Sequence, residues 1–271
     1  TADRGRGKSS ALGMASAHLM KQQEVDVLVT APNRKAVDKV FEHAQKNLTA
    51  AEITKNQIVA SGSELSFQAI DAILESQPHA DILLIDEAAA IPNNLLKQLV
   101  NSYERVVLSS TVHGYEGSGR GCELRFKQYL SQQYPLCQMM HLNAPIRWSQ
   151  GDVLEQFWFD AMLMKAKSNN TLAESRDSNA IEIRQVRQQE LLKNTQRLSE
   201  MFALLIDAHY QTTPDDLKRL LDAPDIVLFV AKAGNSVVGV MVLNKEGGEK
   251  LADIAPAISN GTRRPPGHLV A

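Results

Sequence analysis

Short apolar runs alternate with stretches of helical spacing through the first half of the chain. Val25–Thr30, Gln57–Ala60, Ile82–Asp86 and Val106–Ser110 read as strands. Ile82–Ile85 is an unbroken Ile-Leu-Leu-Ile, the texture of a strand buried on both faces. Between these runs, Lys8–Lys21, Arg34–Asn47, Leu65–Glu75 and Leu95–Ser102 read as helices. In the second of them Ala36, Val37, Val40, Phe41 and Ala44 share one face. Repeated strand–helix alternation predicts an α/β domain with a parallel sheet covered on both sides.

After Leu142 the texture changes. Asn143–Trp148 reads as a turn, and Asp152 caps a helix carrying Leu154, Phe157, Trp158, Met162 and Leu163. That apolar stripe is expected to pack as core against the preceding domain. Lys165–Asn179 is polar and reads as a linker. Ile181–Val186 then alternates like a half-buried strand, Leu191–Tyr210 reads as one long helix, and Asp215–Leu221 as a shorter one opened by Pro214. Ile226–Ala231 and Val237–Leu243 form a hairpin through Lys232–Ser236, with Gly234-Asn235 at its tip. Strand, two helices and an antiparallel hairpin is the order that opens a GNAT-like α/β fold. The expected organisation is an α/β domain over 1–164, a linker over 165–179 and a partial second domain over 180–271.

Composition narrows the class without fixing it. The chain has 271 residues, 44% of them apolar, enough for two sizeable cores. A formal charge of −2 gives no global field for nucleic acid, so any such contact would use local patches. Cys122 and Cys137 have neither metal-ligand spacing nor histidine partners and read as reduced core thiols in a reducing, cytoplasmic setting. No apolar stretch reaches membrane-spanning length, so no membrane association is expected.

The chemistry begins at the first residues, Thr-Ala-Asp-Arg-Gly-Arg-Gly-Lys-Ser-Ser. Gly5-Arg6-Gly7-Lys8-Ser9 is a phosphate-binding loop opening a helix. Backbone N–H groups wrap the phosphates, the Lys8 ammonium reaches the β- and γ-phosphates, and the Ser9 hydroxyl ligates Mg²⁺. Ser10 completes the loop, making Gly5, Arg6, Gly7, Lys8, Ser9 and Ser10 the candidate nucleotide contacts. Ala2 stands where the usual pattern has glycine, which is tolerable if its φ is negative. Such a loop leaves a central strand, and none precedes it, so the chain reads as a fragment of a longer protein. Asp86 and Glu87 end the apolar strand, placing Asp86 to hold Mg²⁺ and Glu87 to orient or deprotonate the attacking water. Together these motifs predict a P-loop (RecA-like) ATPase using ATP or GTP.

Two further segments lie at strand ends. Thr30-Ala31-Pro32-Asn33 reads equally as a ligand contact or as an N-capped turn. Ser109–Gly121 carries four glycines with Arg120 between two of them. It reads as a flexible loop presenting Arg120 as a γ-phosphate sensor or arginine finger, or as an ordinary surface loop. Arg147 has less support as a nucleotide contact, and His113 reads as a structural hydrogen-bonder.

TADRGRGKSS, VTAPN, LLIDEAAAIP, STVHGYEGSGRG and LNAPIRW, in this order, resemble the RecD-type helicase module of the tRNA(Met) cytidine acetyltransferase family, in its bacterial form. FVAKAGNSVVGVMVL and the terminal NGTRRPPGHLVA are similar to the first part of that family's GNAT acetyltransferase module. The resemblance implies an ATP-dependent RNA acetyltransferase that forms N4-acetylcytidine at the wobble position of elongator tRNA(Met) from acetyl-CoA. It also implies nucleotide contacts at Gly5–Ser9 and Arg120, with Asp86 and Glu87 serving Mg²⁺ and hydrolysis. The glycine-rich loop that grips the CoA pyrophosphate in such enzymes lies beyond Ala271, so the chain alone is expected not to transfer acetyl groups. Arg263 and Arg264 read equally as contacts to RNA phosphate or CoA and as a solvated basic turn. The main alternative is a nucleic-acid helicase or translocase, which would require a second ATPase lobe. A further one is a nucleotide-gated binding module without acetyl chemistry.

Overall fold

In the computed structural model, which describes residues 1–112, 119–166, 181–208, 214–245 and 249–263, strand β1 (Asp26–Thr30) lies inside a six-stranded sheet. Val27 and Val29 join one buried cluster and Leu28 the other, as the two-residue period of a strand requires. The first cluster lies under α1 (Lys8–Gln22) and α2 (Asp38–Asn47), with Met20, Val40, Phe41 and Ala44 against the sheet. The second lies under α3 (Ile70–Ser76), α4 (Asn93–Ser102) and α5 (Gly119–Gln133), with Ile73, Leu96, Leu99, Phe126 and Leu130.

The strand order is β2 (Glu52–Ile53), β3 (Gln57–Ala60), β4 (Ser63–Phe67), β1, β5 (Ile82–Ile85), β6 (Val106–Leu108). β4, β1, β5 and β6 run parallel, as expected, while β2 and β3 add an antiparallel edge. The expected helix over Leu65–Glu75 is therefore two elements. Ser61 and Gly62 both take positive φ (52° and 79°), which is what a tight two-residue hairpin turn demands, and β4 returns against β3 with Ala60 opposite Ser63. Leu65 is buried from the sheet, and only Ile70–Ser76 remains helical. The helix expected from Arg34 begins with a 3-10 turn over Arg34–Val37, capped by Asn33, whose Oδ1 accepts the Ala36 N–H at 3.1 Å.

Helices α1 and α2 cross closely enough to exclude a side chain at Gly13. A Cβ there would lie 2.2 Å from the Val40 carbonyl oxygen and 3.1 Å from the Ala44 nitrogen. Gly→Ala in a helix ordinarily stabilises by about 1 kcal/mol. At Gly13 the sign reverses: we expect Gly13→Ala to cost roughly 1–3 kcal/mol and to lower the unfolding midpoint by roughly 2–12 °C. Thermal denaturation checks this, and an unchanged or raised midpoint would contradict the crossing.

Contacts divide the chain into two compact units, one made mainly of Thr1–Lys165 and the other mainly of Ala166–Asp207 and Thr213–Ala271. Residues 167–180, most of the expected linker, fall outside the described residues, as does Tyr210. In the second unit β7 (Ile181–Val186), β8 (Ile226–Ala233) and β9 (Ser236–Asn244) form an antiparallel sheet in that order. Gly234 takes positive φ (59°) at the hairpin tip. The long helix expected over Leu191–Tyr210 is broken into α7 (Gln188–Lys193) and α8 (Thr195–Ala208), because Asn194 Oδ1 caps the second by accepting the Arg197 N–H at 3.0 Å. With α9 (Pro214–Asp222), these helices bury Leu191, Leu198, Met201, Phe202, Leu217 and Leu220. No helix among the described residues is long and apolar enough to cross a membrane.

Candidate nucleotide-binding site

The phosphate-binding loop is held at the sheet by Ala2. That residue is fully buried and bridges in parallel to both Thr111 and Leu142. Its N–H donates to the Ser110 carbonyl at 3.2 Å, and its carbonyl accepts the Val112 N–H at 3.1 Å. Ala2 is not among the residues with positive φ, so the missing glycine costs nothing. Past Asp3 the chain turns through Gly5 (φ 81°) and Gly7 (φ 76°), both left-handed, where a side chain would strain the backbone. Gly7 is the N-cap of α1 and offers no capping side chain, so the first-turn N–H groups face the cradle. Lys8 Nζ donates to the Asp3 carbonyl at 3.3 Å, folded back over its own loop. Ser9 and Ser10 follow in the same turn, half-buried.

Asp86 lies immediately past β5, fully buried. Its Oδ1 accepts the Glu87 N–H at 3.0 Å, while its Oδ2 is buried with no hydrogen-bond partner. Glu87 is exposed and takes a left-handed conformation (φ 51°, ψ 41°), the sparsely populated geometry that concentrates at functional sites. The Ser109 N–H donates to the Ile85 carbonyl at 2.8 Å, and the hydroxyls of Ser109 and Ser110 are buried without partners. Only β6 separates the end of β5 from Ala2, so Asp86 and the loop stand roughly 10 Å apart across the sheet's carboxyl edge.

A segment from the far end of the unit closes over the loop. The Ile146 N–H donates to the Gly5 carbonyl at 3.1 Å. A Cβ on Gly5 would meet the Trp148 ring at 2.5 Å, and one on Gly7 would meet Ile146 Cδ1 at 2.3 Å. Arg6 turns its side chain into this contact. Its guanidinium lies 5.8 Å from the centre of the Trp148 ring, and Nη2 is 2.8 Å from Glu155 Oε1 on α6 (Val153–Ala161). Nε and Nη1 of Arg6 are buried without hydrogen-bond partners.

Residues 1–165 match the model for the helicase domain of RNA cytidine acetyltransferase NAT10/TcmA. The chain belongs to that family. The match ends at the last residue of the first unit's main segment. Curated relatives named tRNA(Met) cytidine acetyltransferase TmcA include one from Vibrio cholerae, 44% identical over 99% of this chain and 38% of its own length. Others come from Nitrosococcus halophilus, 39% identical over 100% and 36%, and Haloarcula marismortui, 36% identical over 97% and 35%. The chain thus spans a little over a third of the length of these relatives. Among solved structures, the large terminase of a thermophilic bacteriophage is similar at 11% identity and a TM-score of 0.43, over 59% of this chain and 43% of that one.

Within the region matched to this family's helicase domain, several expectations need correction. In place of a flexible loop around Arg120, the structure puts Gly119, Arg120 and Gly121 in the first turn of α5. Phe126 and Leu130, buried one turn apart, extend helical order back toward the glycines. His113 and the rest of that loop, 113–118, lie outside the described residues. The apolar stripe on α6 is not core: Leu154, Phe157 and Trp158 are 62%, 57% and 47% exposed, and Phe159 is the one buried member of the helix. Asp152 caps α6 through the Glu155 N–H, and Glu155 pairs with Arg6, which rotates Glu155 and Phe159 inward and the stripe outward. Cys137 is an exposed thiol rather than a core one. Conversely Arg147, between Ile146 and Trp148, rides on the segment seated over the loop and is exposed beside it.

The roles of Trp148 and Glu155 as partners of Arg6 have no signature in the sequence, since the contacts bridge residues more than a hundred positions apart. Glu155→Ala is expected to leave the Arg6 charge buried and unpaired, destabilising the unit by about 3 kcal/mol and lowering its midpoint by roughly 6–12 °C. Thermal unfolding measures this. A midpoint equal to that of the unsubstituted chain would mean the pair does not hold the segment down.

Proposed function

We propose that this chain is the nucleotide-driven part of an ATP-dependent RNA acetyltransferase, followed by the opening of a GNAT-like acetyltransferase domain in Ala180–Ala271. The observation that carries the motor reading is Asp86, a buried carboxylate with one unpartnered oxygen at the sheet edge beside a phosphate-binding loop. Gly5, Arg6, Gly7, Lys8 and Ser9 would bind the triphosphate of ATP or GTP, chiefly through backbone N–H groups, with Arg6 contributing its N–H rather than its paired side chain. Lys8 would leave the Asp3 carbonyl for the β- and γ-phosphates. The Ser9 hydroxyl and Asp86 Oδ2 suit Mg²⁺, which takes one or two protein oxygens besides phosphate and water. Bound there, the ion would neutralise charge developing on the phosphates. Glu87, exposed at the same edge, would orient the attacking water. Arg147 would stabilise the transferring phosphoryl group, with Arg120 the second candidate for that role.

The relatives' name, tRNA(Met) cytidine acetyltransferase, supports acetylation of a cytidine in tRNA(Met) as the reaction of the whole protein, and our reading places it at N4 of the wobble base of the elongator species. The N4 lone pair is delocalised into the ring, so the amine is a weak nucleophile. Attack on the acetyl-CoA thioester forms the N–C bond, breaks the C–S bond and releases CoA with the amine proton. Positioning and an oxyanion donor would supply the acceleration. Hydrolysis at the first unit would seat the base, and the setting is cytoplasmic.

The test uses the protein translated from the complete reading frame containing these residues. Incubated with unmodified tRNA, acetyl-CoA and Mg-ATP, it should yield N4-acetylcytidine on mass spectrometry of the digested RNA. RNA-stimulated ATP hydrolysis without acetylcytidine would instead identify a translocase.

A further inference from the structure

The stretch from Leu142 to Glu155 runs along the phosphate-binding loop and grips it. The Leu142 N–H donates to the Thr1 carbonyl at 2.9 Å and the Ile146 N–H to the Gly5 carbonyl at 3.1 Å, so the two segments lie side by side with one offset. Beyond that ladder, each of the three residues ahead of Lys8 meets a different group of the strap. Gly5 has the Trp148 ring against it, and Gly7 has Ile146 Cδ1. Arg6 between them is paired with Glu155 at 2.8 Å. We propose that Trp148 and Glu155 are positioning residues of the nucleotide site. They set its affinity by holding Gly5, Arg6 and Gly7 in the phosphate-accepting turn before nucleotide arrives. The proposal rests on the reading of Gly5–Ser9 as a triphosphate cradle and adds what controls it.

Three observations point to holding rather than to packing alone. The first is the direction of the peptide groups. In a trans peptide the C=O and N–H point opposite ways. The Gly5 carbonyl faces the strap at Ile146, so the Arg6 N–H is turned to the other side. The Gly7 carbonyl accepts the Ala11 N–H at 2.8 Å, which points the Lys8 N–H out of the α1 N-terminus. The second is conformational cost. Gly5 and Gly7 both stand at positive φ (81° and 76°), and glycine has the most backbone freedom to lose. Without support such a loop has many shapes, and nucleotide would have to select one. Freeing the backbone of even one residue costs about 10-fold in affinity when binding must reorder it. The third is the Arg6 side chain, which is 8% exposed while its Nε and Nη1 lack hydrogen-bond partners. A half-satisfied buried cation is a poor device for stability. Its placement is explained by what it fixes. With the guanidinium 5.8 Å from the Trp148 ring centre and paired with Glu155, the middle residue of the turn is tied to α6.

Linkage makes the effect reciprocal. A clamp that orders the loop for nucleotide is tightened in turn when nucleotide occupies the loop, and Glu155 passes that order to α6. Trp148 can report it, because the chain has two tryptophans and the other is Trp158.

The test uses the full 271-residue chain. Calorimetry with Mg-ADP reads affinity without turnover, phosphate release from Mg-ATP reads KM and kcat, and a thermal melt of each sample reads folding. Trp148→Ala and Glu155→Ala, at temperatures where the melt shows them folded, should each raise the Kd for Mg-ADP about 10-fold or more. The KM for Mg-ATP should rise with it, with a smaller fall in kcat. Glu155→Gln keeps an oxygen for Arg6 at the same reach and should recover most of the affinity. In a Trp158→Phe background, acrylamide quenching of Trp148 should fall when Mg-ADP is bound. The clamp is overturned if both folded alanine variants bind Mg-ADP like the parent, or if saturating Mg-ADP leaves the quenching of Trp148 unchanged. A parent that neither binds Mg-ADP nor hydrolyses Mg-ATP would bring down the nucleotide reading itself, and the clamp with it.

Discussion

Lys8→Ala is expected to lower Mg-ATP hydrolysis by at least about 100-fold, the loss typical of deleting one preorganised donor from a transition state, while the chain stays folded. The lysine begins α1 at the mouth of the cradle, and its ammonium donates to the Asp3 carbonyl at 3.3 Å. That bond is long and half-exposed, so its removal should cost at most about 1 kcal/mol. The same ammonium set against γ-phosphate charge is lost in full. Lys8→Arg should restore little, because a planar guanidinium does not replace a compact point charge in a tight loop. Steady-state phosphate release with a thermal melt on the same sample separates the two effects. Hydrolysis within a few-fold of the parent would sink the nucleotide reading.

Asp86→Asn should move activity and stability in opposite directions. The carboxylate is fully buried, one oxygen takes the Glu87 N–H, and the other has no partner. A neutral amide of the same shape relieves the cost of burying an unpaired charged oxygen, so the nucleotide-free protein should gain on the order of 1–3 kcal/mol. Hydrolysis should fall at least about 100-fold, because the amide is a poor ligand for a hard cation. Adding Mg-ATP should raise the melting midpoint of the parent and leave that of the variant nearly still. A variant that melts lower than the parent would make Asp86 a structural residue.

What the sequence reveals of this molecule follows from the range of the interactions involved. The strands Gln57–Ala60 and Ile82–Ile85 are readable because burial alternates in the first and persists in the second, whereas Ile181 and Ile183 alternate in sequence yet are exposed. The phosphate-binding loop is readable because Gly5, Gly7 and Lys8 act through their own backbone and reach. β4 hides because Leu65, Ile70, Ile73 and Leu74 together mimic helical spacing, and only the Ser61-Gly62 turn betrays the reversal. The outward stripe on α6 is misread for a related cause. Leu154, Phe157 and Trp158 look like a core face until Glu155 is known to be spent on Arg6. The turn at Asn33 caps the next element, as one of its two readings has it, and the same residue lines a cleft.

Ala2 has a kinetic consequence. The loop it anchors is fixed by contacts to Thr111 and Leu142, so the cradle closes only when segments more than a hundred residues apart have met. The β3–β4 hairpin and the α1–α2 pair close over far shorter distances and can form first, because short loops cost less entropy to close. During synthesis, ribosome-bound chains that have not yet exposed Leu142 should therefore show no nucleotide binding, however much of the sheet has assembled. Once the cradle exists, nucleotide at a hundred times its dissociation constant adds about 2.7 kcal/mol to the native state alone. On the proposed nucleotide reading, bound nucleotide would thus act as a late clamp, drawing the last-formed part of the domain to completion.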